Sequence, residues 1–380
     1  MKKKYRIILY TSIFLLCVVA SIILVVKKSN SVYEEESKPK VVKHKSMLSM
    51  NLEQTAGAGD YKTVTQSGWP TEGYKFNTEL SRCENGSTLS WDDTKKAVIV
   101  SGNLSDKCYV YFDIYQPTLA EYIKSQYTGT QGDNGIYYHN STLANGAGDN
   151  SYRYAGASDS VNNYVCLGSD EATCPDANLF RIIGVFGDQT KVIRAKSVGN
   201  KQWHTSESNT WSTSSLNTYL NGEYLTSLGT LADKIATTTW KVGGGSWSNI
   251  SASVPKTAYQ NEVGSSASTT TVNKKIGLMY VSDYYYSASP SAWTLMGYNS
   301  DATKDYRAAK TTNWLYLGSY EWTVSRYSDR TTHAFSVTST GDVLHSNVTD
   351  SYAVRPSFNL ESSVYVSGSG SMSDPVRVTD

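Results

Sequence analysis

The first strong pattern along the chain is an uncharged apolar run close to the N-terminus. No charged residue occurs from Ile7 to Val26, and a helix of that length, at about 1.5 Å rise per residue, spans the roughly 30 Å hydrocarbon core of a bilayer. The run ends at Lys27 and Lys28 without the small-residue cleavage site of a secretory signal. We therefore predict an uncleaved signal-anchor in which residues 7–26 contact the lipid bilayer. The basic residues in front of it favour a cytoplasmic N-terminus in a single-pass membrane protein, with the bulk of the chain outside the cell.

Behind the anchor, the hydrophobic pattern divides the chain into further segments. Residues 29–59 are rich in Lys, Glu and Ser with no apolar period, which is typical of a flexible stalk. Residues 60–116 show the period-two alternation of strands, as in TLSWDDTKKAVIVSGN and DKCYVYFDIY, and predict a small all-β module. The predicted organisation is a cytoplasmic tip with the anchor (1–28), the stalk, the β-module, a connector (117–150) and a head (151–380).

The connector begins with a helix signal and continues as a loop. In PTLAEYIKSQY, apolar residues recur at helical spacing, and Thr118 with Glu121 forms a capping-box pattern. The Gly- and Asn-rich loop that follows contains Asp133, Asp149 and Asp159, but their spacing matches no ladder of calcium ligands. Turn formation is the better interpretation of these residues, and we predict neither a metal site nor a cofactor.

The head combines many short strand patterns with few helical ones. NLFRIIGVFGDQTKVIRAKSV predicts two adjacent strands, WSTSSLNTYLNGEYLTSL an amphipathic helix, and KIGLMYVSDYYY a further strand. The segment GGGSWSNISASVPKTAYQNEVGSSASTTT is weakly hydrophobic and predicts a surface insertion. Short strands separated by turn residues continue towards the C-terminus, so the predicted fold class is α+β with long loops.

Four cysteines lie beyond the predicted anchor: Cys83, Cys108, Cys166 and Cys174. An even number in an exported chain indicates disulfides, and the local pairing (83 with 108, 166 with 174) is favoured because each pair lies in its own segment. Idle thiols remain an alternative. A metal or redox site fits less well, because CLGSDEATC has neither histidines nor the C-x-x-C spacing.

Six segments of the head carry a family resemblance. They follow one another over residues 150–360: FRIIGV, WSTSSLNTYLNGEYLTSL, KIGLMYVSDY, EWTVSRYSD, AFSVTSTGDV and YAVRPSFNL. In this order they resemble a widespread bacterial cell-surface domain of unknown function, similar in fold to the C-type-lectin-like proteins in the branch that holds the formylglycine-generating (sulfatase-modifying) enzymes. The resemblance implies a C-type-lectin-like head, and related chains also look to carry the CENGS…DKCYVYFD module and the YVCLGSDEATCP segment in front of it.

The resemblance is weakest at the segment EWTVSR. Relatives commonly have an aromatic pair, Leu-Arg-Ser and Pro-Gly at this place, whereas Trp322 and Arg326 here keep only the aromatic ring and the cation. For Arg326 and Arg355, a structural role competes with ligand contact. In the structural role the guanidinium bonds to backbone carbonyls or to a carboxylate and fixes irregular loops.

Composition and charge narrow the range of partners. Charged residues make up 18% of the chain, against about 25% in typical soluble domains, and the net charge is +1. Without a basic stripe, the chain lacks the field that attracts nucleic acid, and we predict no nucleic-acid partner.

Candidate catalytic residues do not form a recognisable set. The chemistry of formylglycine-generating enzymes needs cysteines in the C-terminal part, and no cysteine follows Cys174. The sequence has no G-x-S-x-G elbow, and its histidines lie in unrelated contexts. We therefore predict a protein that is not an enzyme, with a hydrolase as the weakest alternative.

Aromatic residues carry the predicted binding site. Exposed Tyr and Trp offer a large contact area at low entropic cost, and SDYYYSASPSAWTLMGY is the densest aromatic segment. The predicted site, for a glycan or a surface-protein ligand, comprises Tyr284, Tyr285, Tyr286, Trp293, Tyr298, Trp322 and Arg326. Two alternatives stay open: that these rings form the core, and that the protein is a structural component of the cell envelope with no small ligand.

Overall fold

The computed structural model describes residues 48–65, 68–70, 73–103, 105–115, 117–361 and 365–379. The chain forms two compact units that divide after Tyr115. The predicted anchor over residues 7–26 and most of the predicted stalk lie outside the described residues.

The predicted fold class needs correction. Most of the regular structure in the described residues is β-strand, and the helices are few and short. None of these helices is long and apolar enough to cross a membrane. The expected combination of a transmembrane helix with an α+β body is therefore wrong for the part of the chain that the structure describes.

The N-terminal unit is a small β structure. Its strands are β1 (Leu48–Glu53), β2 (Tyr61–Val64), β3 (Tyr74–Phe76), β4 (Arg82–Cys83), β5 (Thr88–Asp92), β6 (Ala97–Ser101) and β7 (Cys108–Ile114). The main sheet has the order β2-β1-β7-β3 with β4 also paired to β7, while β5 and β6 form a separate hairpin. Alternate residues Val110 and Phe112 of β7 are fully buried, as the period-two pattern predicts.

Strand β1 was not expected, because it lies within the segment predicted as a stalk (29–59). It pairs in parallel with β7, and its residues Met50 and Leu52 contribute to the core of this unit. The disulfide Cys83–Cys108 joins β4 to β7 and confirms the predicted pairing. A unit of this size has little core of its own, so the covalent link compensates for limited burial.

The C-terminal unit contains most of the strands. They are β8 (Ile136–Tyr138), β9 (Tyr152–Tyr154), β10 (Tyr164–Cys166), β11 (Leu179–Phe186), β12 (Gln189–Arg194), β13 (Asn200–Gln202), β14 (Thr238–Lys241), β15 (Thr271–Lys274), β16 (Ile276–Gly277), β17 (Glu321–Arg326), β18 (His333–Val337), β19 (Val343–Asn347), β20 (Ser351–Ala353), β21 (Ser357–Leu360), β22 (Tyr365–Ser367) and β23 (Val376–Thr379). One sheet has the order β16-β21-β12-β11-β10-β23-β22, with β9 paired to β11 and β8 to β9; a second has the order β13-β20-β17-β18-β19. Strands β14 and β15 form a separate hairpin.

The helices of this unit are short. The α-helices are α1 (Leu119–Ser125), α2 (Ser215–Tyr219), α3 (Leu225–Ser227), α4 (Trp247–Ile250), α5 (Pro255–Glu262) and α6 (Val281–Tyr286). A π-helical turn (Leu220–Tyr224) joins α2 to α3, and 3₁₀ turns occupy Asp133–Gly135, Trp211–Thr213, Gly229–Lys234, Pro290–Thr294 and Lys310–Thr312. The predicted capping box of α1, between Thr118 and Glu121, is confirmed.

Strand β11 is the centre of the larger sheet. All of its residues except the last are buried, and it pairs with β9, β10 and β12. The register with β12 shifts between Ile182 and Gly184, where β9 approaches closely. A Cβ atom at Gly184 would lie 2.3 Å from the carbonyl oxygen of Tyr152, so only glycine fits. The second predicted disulfide, Cys166–Cys174, is also present, and Cys166 belongs to β10.

The segment predicted as a surface insertion folds into the body of this unit. It forms α4 and α5, and Ile250, Ala258 and Glu262 are buried. Glu262 is the informative case, since its carboxylate accepts hydrogen bonds from the backbone N–H groups of Val281 and Ser282 at the start of α6 (2.9 and 2.8 Å). A buried carboxylate thus fixes the beginning of the helix that carries the site described below.

Candidate functional site

The three consecutive tyrosines of α6 lie in the core rather than on the surface. Tyr284, Tyr285 and Tyr286 are at most 1% exposed. Their hydroxyl groups donate to the backbone carbonyls of Gly341 (2.7 Å), Ile250 (2.9 Å) and Asn145 (3.2 Å), respectively. Because rings and hydroxyl groups are both satisfied internally, these residues bind neighbouring loops and offer no surface to a ligand.

The other predicted binding residues do not converge either. Trp293 and Trp322 are buried, and their indole N–H groups donate to the carbonyls of Ala288 and Lys201. Only Tyr298 and Arg326 are half-buried. The predicted aromatic surface is therefore wrong, since the unit uses its aromatic rings as core.

The two singled-out arginines have structural partners. Arg326 Nε donates to the carbonyl of Gly243 at 2.8 Å. Arg355 Nε and Nη2 each donate to one carboxylate oxygen of Glu321 at 2.7 Å, and Nη2 also donates to the carbonyl of Leu315. Arg355 and Glu321 are 3% and 1% exposed, so this bidentate pair lies in the interior and joins β17 to the segment before β21.

A cavity of about 240 Å³ in the C-terminal unit brings together buried charges that the sequence did not single out. Its buried lining residues, here called the floor, come mainly from β9, β12, β21 and α6, and its half-buried lining residues, here called the mouth, come mainly from β14, α5 and the end of β11. Its lining includes Asp149, Arg153, Phe186, Lys191, Thr238, Lys241, Tyr259, Val263, Tyr280, Ser282, Asp283 and Asn359.

Lys191 and Asp283 form the central ion pair of the floor. Lys191 Nζ lies 2.5 Å from Asp283 Oδ2, and the two side chains are only 6% and 3% exposed. Asp283 Oδ2 also accepts from the backbone N–H of Tyr280, and the ammonium lies 4.4 Å from the centre of the Tyr280 ring. Burial lowers the pKa of Lys191 below its ordinary value, and the charge of Asp283 opposes that shift. The pair is neutral as a whole and is held in an aromatic setting.

A second ion pair lies beside the first. Arg153 Nη2 donates to Asp149 Oδ2 at 2.6 Å, and the guanidinium stacks 4.7 Å from the centre of the Phe186 ring. Burial alone would raise the pKa of Asp149, but the charge of Arg153 and the hydrogen bonds from Ser151 hold it well below the ordinary value. Asp149 therefore stays ionised. Its contacts with Arg153 and Ser151 give it a structural role that requires no calcium ion.

One acceptor at the floor has no partner. Asn359 is 9% exposed and lies directly opposite Lys191 in the β12–β21 pairing. Its Nδ2 donates to Thr238 Oγ1 at 2.9 Å, whereas its Oδ1 accepts no hydrogen bond from the described residues. The hydroxyl of Ser282, also at the floor, is buried beside the carboxylate of Glu262 but makes no hydrogen bond of normal geometry. A buried acceptor without a donor is costly, so the floor is suited to a donor from outside the chain.

A family comparison covers most of this site. Residues 187–362 match a family described as Domain of unknown function (DUF6273). The match spans less than half of the chain and includes Lys191, Ser282, Asp283 and Asn359. No curated protein and no solved structure matches the chain. Lys191, Ser282, Asp283 and Asn359 thus lie within the DUF6273 match, whereas Asp149 and Arg153 lie outside it.

The signals for these residues in the sequence are weak. Lys191 stands in an apolar strand pattern, and Asp283 directly precedes three tyrosines. A charged residue within a buried strand is a usable signal, because such a residue needs a partner. The identity of the partner could not be predicted, since β12 and α6 are far apart in the chain.

Proposed function

We propose that this protein is a non-catalytic binding module that works outside the cytoplasm and takes a small uncharged, hydroxyl-bearing group, such as the terminal unit of a glycan, into the cavity of its C-terminal unit. The observation that carries the proposal is the unpaired Oδ1 atom of Asn359 at the cavity floor. A ligand hydroxyl would donate to this atom and recover the energy of the missing hydrogen bond.

The charge arrangement supports an uncharged ligand. Each buried charge at the floor already has an opposite partner: Lys191 with Asp283, and Arg153 with Asp149. A charged ligand would have to compete with these pairs, whereas a hydroxyl group can both donate and accept without disturbing them.

The size and the mouth of the cavity support a single small unit. Its volume of about 240 Å³ lies below the range of roughly 300–1,000 Å³ that is typical of sites for drug-sized ligands. Phe186, Tyr259 and Val263 at the mouth are half-buried and present apolar surface. Such a mouth can contact the C–H faces of a sugar ring while the floor binds its hydroxyls.

The disulfides support the proposed setting outside the cytoplasm. Disulfides persist mainly in oxidising compartments, and the described residues contain two of them.

The test is a glycan screen with the full-length chain, followed by calorimetric titration of the best ligand. Asn359→Leu replaces the amide with a larger, branched apolar side chain that has no acceptor, and we expect about tenfold weaker binding, since one lost hydrogen bond costs about 1.4 kcal/mol. Asn273→Leu is the matched control, because Asn273 is exposed on β15 and does not line the cavity. A ligand that binds both variants as well as the wild type, or a screen in which only peptides bind, would overturn the proposal.

A structural role in the cell envelope is the second candidate. The observation that favours it is the use of nearly all predicted binding aromatics as core, which leaves their surface unavailable to a partner. The absence of any ligand in the screen, together with self-association of the full-length chain, would support this alternative.

A further inference from the structure

We propose that Lys191 and Asp283 condense to an intramolecular amide, so that the mature protein carries an isopeptide cross-link between β12 and the first turn of α6. The juxtaposition is already made in the fold: the amine nitrogen and a carboxyl oxygen are 2.5 Å apart, and both side chains are almost fully buried. The cross-link would tie two elements that are separated by 92 positions in the chain.

Proximity supplies most of what the reaction needs. Groups held in contact in one orientation react as if they were present at very high concentration, because the entropic cost of bringing them together was met during folding. Lys191 is held on a strand with neighbours on both sides, and Asp283 is fixed by the N–H of Tyr280. Glu262 acts as a positioning residue, since its bonds to Val281 and Ser282 hold the turn that carries Asp283.

The surroundings favour the neutral product over the ion pair. Lys191 Nζ faces the rings of Tyr280 (4.4 Å), Trp240 (5.3 Å) and Phe186 (5.9 Å). Cation–π contacts with these rings offset part of the desolvation cost of the ammonium, but the buried carboxylate keeps a cost that an amide does not have. Burial also lowers the pKa of Lys191, which makes the nucleophilic free amine easier to form.

The condensation balances without a co-reactant. One proton passes from the Lys191 ammonium to the Asp283 carboxylate, giving a free amine and a carboxylic acid. The amine lone pair attacks Cγ, the new N–Cγ bond forms, and a second proton moves from nitrogen to the departing oxygen. The Cγ–O bond then breaks and one water leaves through the cavity. The remaining oxygen becomes the amide carbonyl.

Mass spectrometry of the intact, reduced full-length chain tests the proposal directly. We expect a mass lower than the sequence mass by one water, and a tryptic digest in which the chain is uncut after Lys191 and a branched peptide joins it to Asp283. The full sequence mass together with a free Lys191 peptide would overturn the proposal, and this reading of the wild type needs no variant.

Two variants exclude other sources of water loss. Lys191→Arg keeps the positive charge but cannot form this amide, so the mass deficit should disappear. Lys196→Arg is the matched control, because Lys196 Nζ also lies 2.5 Å from an oxygen of Asp176 but both side chains are more than half exposed. The mass deficit should persist in this variant. A deficit that survives Lys191→Arg would also overturn the proposal. The measurement uses no ligand, so its outcome is independent of the proposed binding function.

Discussion

At the residue scale, the C-terminal unit buries many polar and ionisable groups, and most of them have specific partners. Arg355 with Glu321, Lys191 with Asp283, and the three hydroxyls of α6 follow this rule. Such groups are costly without a partner, so each partner is a structural requirement. Nine buried side-chain atoms of the described residues lack a partner, and of these the atoms of Ser282 and Asn359 belong to residues that line the cavity.

The Arg355–Glu321 pair should be essential to stability. In Glu321→Gln, the guanidinium would remain buried with no counter-charge, and we expect a loss of about 3–5 kcal/mol in the free energy of unfolding. Asp176→Asn, which removes one partner of the exposed pair with Lys196, should change little. Urea denaturation of both variants measures the difference. Equal effects would show that the buried pair is not a main support of the fold.

His139 should make stability depend on pH. The ring is fully buried, its Nδ1 accepts from the N–H of Ala147, and burial followed by the charge of Arg153 lowers its pKa well below 6.5. As the pH falls through about 6.5, the unfolded chain therefore binds a proton at His139, whereas the folded protein does not. Stability from this residue is present above that pH and falls below it, by up to about 1.4 kcal/mol per pH unit.

The measurement compares wild type with His139→Gln in urea denaturation between pH 7.5 and pH 5.5. The difference in unfolding free energy between the two proteins should shrink as the pH falls, because only the wild type must exclude the proton. A difference that stays constant across this range would contradict the assignment.

At the element scale, features that depend on neighbours in sequence were predictable, whereas features that depend on distant contacts were not. The capping box of α1 and the alternation of β7 depend on neighbours in sequence and were predicted correctly. The helix expected in WSTSSLNTYLNGEYLTSL exists but is interrupted by a π-helical turn, although Leu216 and Leu220 are buried as expected. The role of Glu262 depends on its contact with α6, which no local pattern contains.

Strand β11 provides a test at this scale. Gly184→Ala would place a Cβ atom against the carbonyl of Tyr152, and we expect a loss of about 1–3 kcal/mol. Gly222→Ala is the control, because an added Cβ at this exposed position meets no atom within 4 Å and alanine favours helix by up to about 1 kcal/mol. Thermal denaturation should therefore shift in opposite directions for the two variants. A stabilised Gly184→Ala would contradict the close approach of β9.

At the scale of the whole molecule, both disulfides were predicted from the sequence, whereas the residues of the candidate cavity were not. Cysteine count and segment position were enough for the disulfides. The aromatic prediction failed because composition cannot distinguish a ring in a core from a ring on a surface. The matched family is a domain of unknown function, so the proposed function is based on the cavity.

The disulfide Cys83–Cys108 should matter most to the N-terminal unit. Closing a loop of 25 residues contributes roughly 3 kcal/mol in the chain-entropy model, and this unit has a small core. In Cys83→Ser/Cys108→Ser we expect hydrogen exchange to accelerate over residues 73–103 while protection within 179–194 is retained. Unchanged exchange in the first range would show that the disulfide is dispensable.

The cavity with Asn359 at its floor is the proposed ligand site. A crystal structure of the full-length chain with the best ligand from the glycan screen tests this proposal directly. We predict a sugar unit inside the cavity with one hydroxyl within hydrogen-bond distance of Asn359 Oδ1. A ligand seated elsewhere, with only water beside that atom, would contradict the account.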